Sequence, residues 1–392
     1  MKILTIKNEC TGCGACSNVC PVSAVTMQYD DEGFYYPSVD HELCIDCEKC
    51  ESVCHILVDE HYKLPTEWVP YMCRAKDENI RKTSSSGGVF ALLAQIVLSK
   101  KGVVFGARYN YEAERLEHDH TEHAELSDFK KSKYIESHTK NTFNEVKKYL
   151  NEGRYVLYTG APCQIIGLKT FLRNKDTTKL LLVDFICHGV PSNKHFTEYK
   201  HYLEKKKKSR ISTIDFRPKD KKNGLALFGL RVIFLNGKLL IEQYKMNLYF
   251  FSFLKNKLLR KSCYYCNIAK YHHSDITLGD FWGVASYKPQ VDDNKGISLV
   301  SVNTEMGKIF YSLINDKMIE EKLPLSAVEY AYKDRNYDEY NLKDRDLIAK
   351  KVKTNGYVIT MKQLLGRDIK KNKTDYYIIK AKKLIKKFTL LN

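Results

Sequence analysis

Two rhythms of apolar and polar positions run along this 392-residue chain. In "SSSGGVFALLAQIVLSKKG" an apolar stripe at helical spacing follows Ser84–Ser86 and stops just before Gly102, which predicts a serine-capped helix. "VVFGARY" then reads as a strand, "FNEVKKYLNEG" as a helix and "RYVLYTG" as a strand. "PCQIIGLKTFLRN" follows as a helix and "KLLLVDFIC" as a buried strand ending at Cys187. Such alternation predicts a parallel or mixed α/β sheet. Ile211–Tyr244 reads instead as antiparallel strands turning at Asn236–Gly237. "NLYFFSFLKNKLL", Glu305–Lys317 and the chain from Leu342 onward read as helices. Near the start, "MQYDDEGFYYPSVD" reads as a hairpin turning at Asp31–Gly33, and the proline-bearing His61–Pro70 as a linker.

Charge narrows the partners. The net charge is +17, but Ala349–Asn392 alone supplies +11 of it, thirteen Lys or Arg against Asp368 and Asp375. The remainder is mildly basic, so no nucleic-acid partner is expected. In the tail, Tyr377, Ala381, Leu384, Phe388 and Leu391 are spaced by four, three, four and three, with lysines on the other face. That predicts a basic amphipathic helix, docked on its own domain or resting on an anionic membrane. No apolar run approaches a membrane span, and "MKILTIKNEC" lacks the apolar stretch of a signal peptide. A cytoplasmic protein is expected, with peripheral contact at the inner membrane face as the variant that the tail allows. Thirteen cysteines in a reducing compartment point to metal or redox chemistry.

Eight of them form two copies of Cys-x2-Cys-x2-Cys-x3-Cys, at Cys10–Cys20 and Cys44–Cys54, offset by 34 residues. Zinc usually shows separated Cys-x2-Cys pairs. Two complete four-cysteine runs fit two 4Fe-4S clusters in a bacterial-ferredoxin pattern, in which the fourth cysteine of each run crosses to the other cluster. Cys10, Cys13, Cys16 and Cys54 are thereby assigned to one cluster, and Cys44, Cys47, Cys50 and Cys20 to the other.

Five cysteines remain. Cys163 and Cys187 stand where expected strands meet the next turn, and strand ends build sites in open α/β sheets. With the Cys263/Cys266 pair they make four thiols for a third 4Fe-4S cluster. The alternative is that Cys163 and Cys187 are buried small apolar residues. His188, His272 and His273 are candidate zinc ligands or ordinary structural histidines, and Cys73 is a weaker ligand candidate. There is no G-x-G-x-x-G. "RKTSSSGG" offers a different phosphate cradle: hydroxyls, glycines and a helix N-terminus, with Arg81 and Lys82 adding positive charge. An ordinary serine cap reads equally well.

Seven motifs occur in order from Lys82 to Val300: "KTSSSGGVF", "VVFGARY", "SKYIESHT", "YTGAPCQIIGL", "VDFICHGVPS", "CYYCNIAKYHHSDITLGDFWG" and "KGISLV". Together they resemble the beta subunit of the hydrogenase that reduces coenzyme F-420, a deazaflavin. The resemblance implies an FAD-containing iron–sulfur oxidoreductase, served by a redox partner protein or small electron carrier and by a small-molecule hydride donor or acceptor. Relatives reduce or oxidise the deazaflavin, plant relatives reduce a chlorophyll derivative, and many bacterial members are encoded among surface-polysaccharide genes. Carried over motif by motif, FAD would touch Thr83, Ser84, Ser85, Ser86, Gly87 and Gly88. Ser132, Lys133, Tyr134, Thr159, Gly160, Ala161 and Asp280 would complete its contacts. Lys133, Tyr134 and His188 are candidates for a catalytic role. Where the family usually has an amide, this chain has Glu136, an acid that would alter the electrostatics of a flavin or substrate facing it.

The expected fold is an α+β ferredoxin-like two-cluster domain followed by a mixed α/β flavin-binding domain. The expected boundaries are 1–60 for the ferredoxin domain, 61–72 for a linker, 73–335 for the FAD and iron–sulfur domain, in parts 73–150 and 151–335, and 336–392 for a basic helical tail. Electrons would pass between a hydride-type substrate, FAD, the third cluster and the two ferredoxin clusters. The rival is a relay or assembly subunit that holds clusters without turning over a substrate.

Overall fold

A computed structural model describes residues 2–58, 68–219, 229–268, 273–328 and 339–389. The chain divides into two compact units, Met1–Asn193 with Arg260–Leu342, and Lys194–Leu259 with Lys343–Asn392. Among the described residues the strands are β1 (Val25–Tyr29), β2 (Tyr35–Val39), β3 (Val69–Ala75), β4 (Val103–Asn110), β5 (Arg115–Thr121), β6 (Ser137–His138), β7 (Val156–Thr159), β8 (Leu180–Phe185), β9 (Ile211–Asp215), β10 (Gly229–Phe234), β11 (Leu239–Gln243), β12 (Ile276–Asp280), β13 (Ser298–Val302) and β14 (Met318–Lys322).

The first unit opens with the repeated cysteine runs. Between them β1 and β2 form the expected antiparallel hairpin, Tyr29 opposite Tyr35. Asp30 closes its turn by accepting from the amides of Glu32 and Phe34 at 3.0 Å. The two runs share a backbone as well as a spacing. Gly12 and Gly14 have positive φ, and so do Asp46 and Glu48, 34 residues on. Each run then enters a short helix, Ala15–Val19 or Lys49–Ser52. At Gly14 no other residue fits, because a Cβ would stand 2.3 Å from Thr139 Oγ1. Asp46 and Glu48 face no such crowding and accept the strained φ.

Behind this lies a nine-stranded mixed sheet of order β14-β3-β13-β12-β8-β7-β4-β5-β6. β12, β8, β7 and β4 are successive parallel neighbours. β3 runs the same way, since both it and β12 are antiparallel to β13. The apolar faces of helices cover both sides. Helix Val89–Ser99 buries Leu92, Leu93 and Val97 against one face. Helices Thr142–Asn151 and Pro162–Phe171 cover the other with Phe143, Val146, Ile165 and Leu168, and Ala15 and Val53 of the cysteine runs join that core.

Several expectations change here. Gly88, not a serine, occupies the N-cap of helix Val89–Ser99. The serines lie in the turn after an extra helix, Glu78–Lys82, whose cap is Asp77 accepting from the amides of Asn79 and Ile80. β3 takes in Val69–Met72, so the end of the expected linker is a central strand; residues 61–67 lie outside the described residues. β8 stops at Phe185, which places Cys187 in the following turn.

The second unit holds an antiparallel sheet, β11-β10-β9, with the expected turn at Asn236–Gly237. Its helices are Asn193–Lys207, Leu248–Leu254, Glu339–Asn355 and Tyr357–Thr389. Phe196, Tyr199, Tyr249 and Tyr357 pack in its aromatic core. The basic C-terminal segment therefore shares a unit with Lys194–Leu259 rather than forming a separate tail. Asn372 donates to the Lys245 carbonyl at 2.9 Å, and Lys373 pairs with Glu242 at 3.2 Å. Of the expected apolar stripe, Tyr377 and Ala381 are exposed; the side chains of Leu384, Phe388 and Leu391 lie outside the described residues. Among the described residues, no helix is long and apolar enough to cross a membrane.

Candidate iron–sulfur and flavin sites

Twelve of the thirteen cysteines gather in three sets of four. Burial pushes the Cys13 thiol up to about 12, and nearby Cys10 and Cys54 add to the shift. Cys16 is raised too, first by burial and then by Cys13, Cys10 and Cys54. Cys20, Cys44, Cys47 and Cys50 line an open cavity of about 270 Å³, with Cys47 exposed to solvent. A second cavity, of about 50 Å³, is lined by Cys163, Cys187, Cys263 and Cys266 together with Thr11, His188 and Arg260. Burial raises the Cys163 thiol, and Cys187, Cys266, Cys263 and Cys13 raise it further. The third set therefore adjoins the first.

Local chain geometry explains this gathering. Cys163 is the second residue of the helix after β7, and Cys187 follows β8. β7 and β8 are parallel neighbours, so both thiols emerge at one sheet edge. The amide of Gly189 donates to Cys187 Sγ at 3.4 Å. None of the thirteen cysteines is joined in a disulfide.

The donor chemistry fits anionic clusters at these sets. Four soft thiols surround each site, and such a set suits iron–sulfur clusters. Alternating positive-φ residues at Gly12/Gly14 and Asp46/Glu48 form concavities of backbone N–H groups of the kind found around iron–sulfur sites. Among the described residues, no three His, Cys, Asp or Glu side chains are placed to hold a single metal ion; His272 lies outside those residues. Cys73 belongs to none of the sets. It is buried in β3, 3.0 Å from the Tyr311 hydroxyl, and burial pushes its thiol up to about 12.

A buried cation stands between the first and third sets. Arg260, 1% exposed, donates from Nε to the Cys10 carbonyl at 2.9 Å and from its terminal nitrogens to the Tyr35 carbonyl and to Glu136 Oε1, the latter at 2.5 Å. Glu136 is itself buried and accepts from the Tyr35 amide at 3.4 Å. Its acid is therefore spent on Arg260 and does not face an open flavin or substrate site. Burial lifts its carboxyl to about 7, against the opposing pull of Arg260. The only sequence signal for this pair was the acid in place of the family amide, because Arg260 stands among Lys255, Lys257 and Lys261 with nothing to set it apart.

The expected flavin residues also lie along the carboxyl edge of the sheet. Ser85 Oγ accepts from the Ser132 amide at 2.6 Å, joining "TSSSGG" to "SKY". Lys133 Nζ donates to the carbonyls of Lys130 and Lys131. Thr159 ends β7, Gly160 and Ala161 follow it, and Asp280 ends β12. Much of the polar surface of this stretch is already used. Ser84 Oγ donates to the Ile80 carbonyl, Thr83 Oγ1 to that of Asn79, and the Gly87 amide to Ser298 Oγ. Gly87 is needed for packing, since a Cβ would stand 2.2 Å from the Cys73 carbonyl. Arg81 does not supply the expected charge: it makes a bidentate pair with Asp293 at 2.5 Å. What this edge offers a flavin is hydroxyls and a helix N-terminus, a weaker fit than thiols offer a cluster. His118 was missed altogether: fully buried, its Nε2 lies 2.9 Å from the Thr159 carbonyl.

Comparison with known proteins gives two family matches along the chain. Residues 9–56 match the family described as 4Fe-4S dicluster domain, and residues 153–326 match the family described as the C terminus of the beta subunit of coenzyme F420 hydrogenase/dehydrogenase. A 7Fe ferredoxin of Hydrogenibacillus schlegelii is 35% identical over 75 residues, 18% of this chain and 90% of that protein. An uncharacterized ferredoxin of Methanocaldococcus jannaschii is 35% identical over 54 residues, 14% of this chain and 69% of that protein. A chain from the xenon-derivatized F420-reducing NiFe hydrogenase complex of Methanosarcina barkeri aligns over 74% of this chain and 94% of its own length, at a TM-score of 0.46 and 16% identity. The first match holds the eight paired cysteines and the second the four of the third set, so this chain carries a 4Fe-4S ferredoxin-like domain at its N-terminal end and, over residues 153–326, a domain of the coenzyme F420 hydrogenase/dehydrogenase beta-subunit type, a combination consistent with electron transfer.

Proposed function

We propose that this chain is an FAD- and iron–sulfur-dependent oxidoreductase subunit that carries electrons between a small hydride donor or acceptor and a redox partner. The observation that carries the reading is the convergence of Cys163, Cys187, Cys263 and Cys266 on one cavity beside the Cys13 set. When bound, FAD would exchange electrons in pairs with the substrate and singly with 4Fe-4S clusters.

The chain's own residues supply position and environment. Cys163, Cys187, Cys263 and Cys266 would hold the cluster nearest the flavin edge, with Cys10, Cys13, Cys16 and Cys54 next. Cys20, Cys44, Cys47 and Cys50 would form the outer site, because their cavity is open and Cys47 is exposed. Ser85, Ser132 and the turn before helix Val89–Ser99 would orient the flavin phosphates. Lys133, Tyr134 and His188 are the side chains at this edge to test for a part in hydride exchange. A place in surface-polysaccharide biosynthesis, and any choice of deazaflavin as substrate, would follow only from the family resemblance. Flotation with anionic vesicles, with and without residues 370–392, tests membrane contact.

Anaerobic purification and reconstitution test the main reading. It expects bound FAD and about twelve irons per chain, the content of three cubanes. About eight irons, with the third set open to alkylation, would remove the third cluster. Full iron without flavin would favour the relay reading.

A further inference from the structure

Arg260 joins two cysteine sets through its backbone and its side chain. Its carbonyl accepts from the Cys263 amide at 3.0 Å, so it opens the turn that presents the Cys263/Cys266 pair. Its guanidinium ends on the Cys10 carbonyl in the other set. The Cys10–Cys13 loop is shaped around it, since a Cβ on Gly12 would stand 2.7 Å from one terminal nitrogen. Its positive charge faces Cys10 and Cys263, and it lines the cavity of the third cysteine set. Its counter-charge is Glu136, which reaches Tyr35 as well.

We infer that Arg260, with Glu136 as its partner, is a positioning residue shared by the first and third cysteine sets, locking their loops together and raising the reduction potentials of both clusters they hold. The inference rests on the proposed assignment of those sets as cluster ligands. Reduction adds negative charge, and a fixed cation in a water-poor interior stabilises the reduced form. Glu136 offsets part of that effect. A cation common to both sites moves their potentials in the same direction, so both shift against the third while the difference between them changes little. Cys20, Cys44, Cys47 and Cys50 line a cavity that Arg260 does not reach, so their cluster serves as an internal reference.

The test is redox titration of the reconstituted full-length chain, followed by electron paramagnetic resonance, at about pH 8.5 so that Glu136 is ionised. Signals are assigned with Cys263→Ser and Cys16→Ser. Arg260→Gln is expected to lower two of the three potentials, Glu136→Gln to raise the same two, and Arg260→Lys to change them least. A merely structural strut would give same-direction shifts, or cluster loss, in both neutral variants, and that result overturns the inference. So does an equal shift of all three potentials. Should Arg260→Gln fail to assemble, Glu136→Gln decides: unchanged potentials refute the tuning role. Iron content of the unaltered protein is read first. A wild-type chain short of about twelve irons refutes the assignment of the sets, whereas full iron with unmoved potentials refutes only the role of Arg260.

Discussion

Gly167 passes so close to Cys13 that a Cβ at position 167 would stand 2.8 Å from the cysteine sulfur. It lies inside helix Pro162–Phe171, where alanine normally favours the helix by about 1 kcal/mol. Here the added methyl meets a cluster-set thiol. Gly167→Ala is therefore expected to lower the thermal midpoint and to cost about four of about twelve irons. Gly366 provides the control, because it sits in helix Tyr357–Thr389 with nothing within 4 Å of a Cβ. Gly366→Ala should stabilise by roughly 0.5–1 kcal/mol with iron unchanged. Full iron in Gly167→Ala would show that Cys13 does not need this approach.

Cys73 separates ligand cysteines from structural ones. It sits in β3 against Tyr311, and burial holds its thiol near 12. Cys73→Ala should keep the iron content and visible spectrum of the unaltered chain, and lose only about 1 kcal/mol of stability for a small buried group. Native Cys73 should resist alkylation until the protein unfolds. A drop in iron on substitution would place Cys73 among the ligands.

What could be read from the chain was local or periodic. The 34-residue offset carried both cysteine runs, and the strand–helix alternation carried β4, β7, β8 and their helices. Cys163 and Cys187 were readable because each follows a recognisable strand within a few residues. β3, β12, β13 and β14 are short or lie near prolines and turns, and a five-residue apolar run does not declare its partner. Arg260 was unreadable for a plainer reason: its three acceptors lie 124, 225 and 250 residues away. At the expected phosphate cradle, local pattern could not show which side chains the fold itself uses. The serines and Arg81 of "RKTSSSGG" looked available for a ligand, but the fold gives many of them protein partners.

Arg81 and Asp293 form the next testable pair. The guanidinium is 2% exposed, and the carboxylate that holds it is 33% exposed. The pair ties the helix Glu78–Lys82 to the loop before β13, and Arg81 also donates to the Gly296 carbonyl at 3.0 Å. Removing Asp293 leaves the buried Arg81 charge with the exposed Glu78 carboxylate, 3.7 Å away, as its remaining ion-pair partner among the described residues. Asp293→Asn is expected to cost about 2–3 kcal/mol, below the range for a fully buried pair because Asp293 reaches solvent. Arg81→Met with Asp293→Asn should recover part of that loss in chemical denaturation. No recovery would mean that the pair matters for its hydrogen bonds and not for its charge balance.

His118 gives the acid response a direction. Burial lowers its pKa from 6.5 to about 4. Its ring stacks on Tyr158 at 5.4 Å between centroids, and its Nδ1 has no hydrogen-bond partner among the described residues. In the unfolded chain the same imidazole takes a proton below about pH 6.5, while the folded chain refuses it until about pH 4. The unfolded state thus binds more protons across that window, and stability falls as pH falls through it. The slope is about 1.4 kcal/mol per pH unit for this one group. His118→Gln keeps a donor for the Thr159 carbonyl and removes the titration. The two proteins should therefore draw together on acidification: the stability gap measured by urea unfolding at about pH 7.5 should shrink by roughly 1.4 kcal/mol at about pH 5.5. A gap of constant size at both values would show that His118 is not held neutral by the fold.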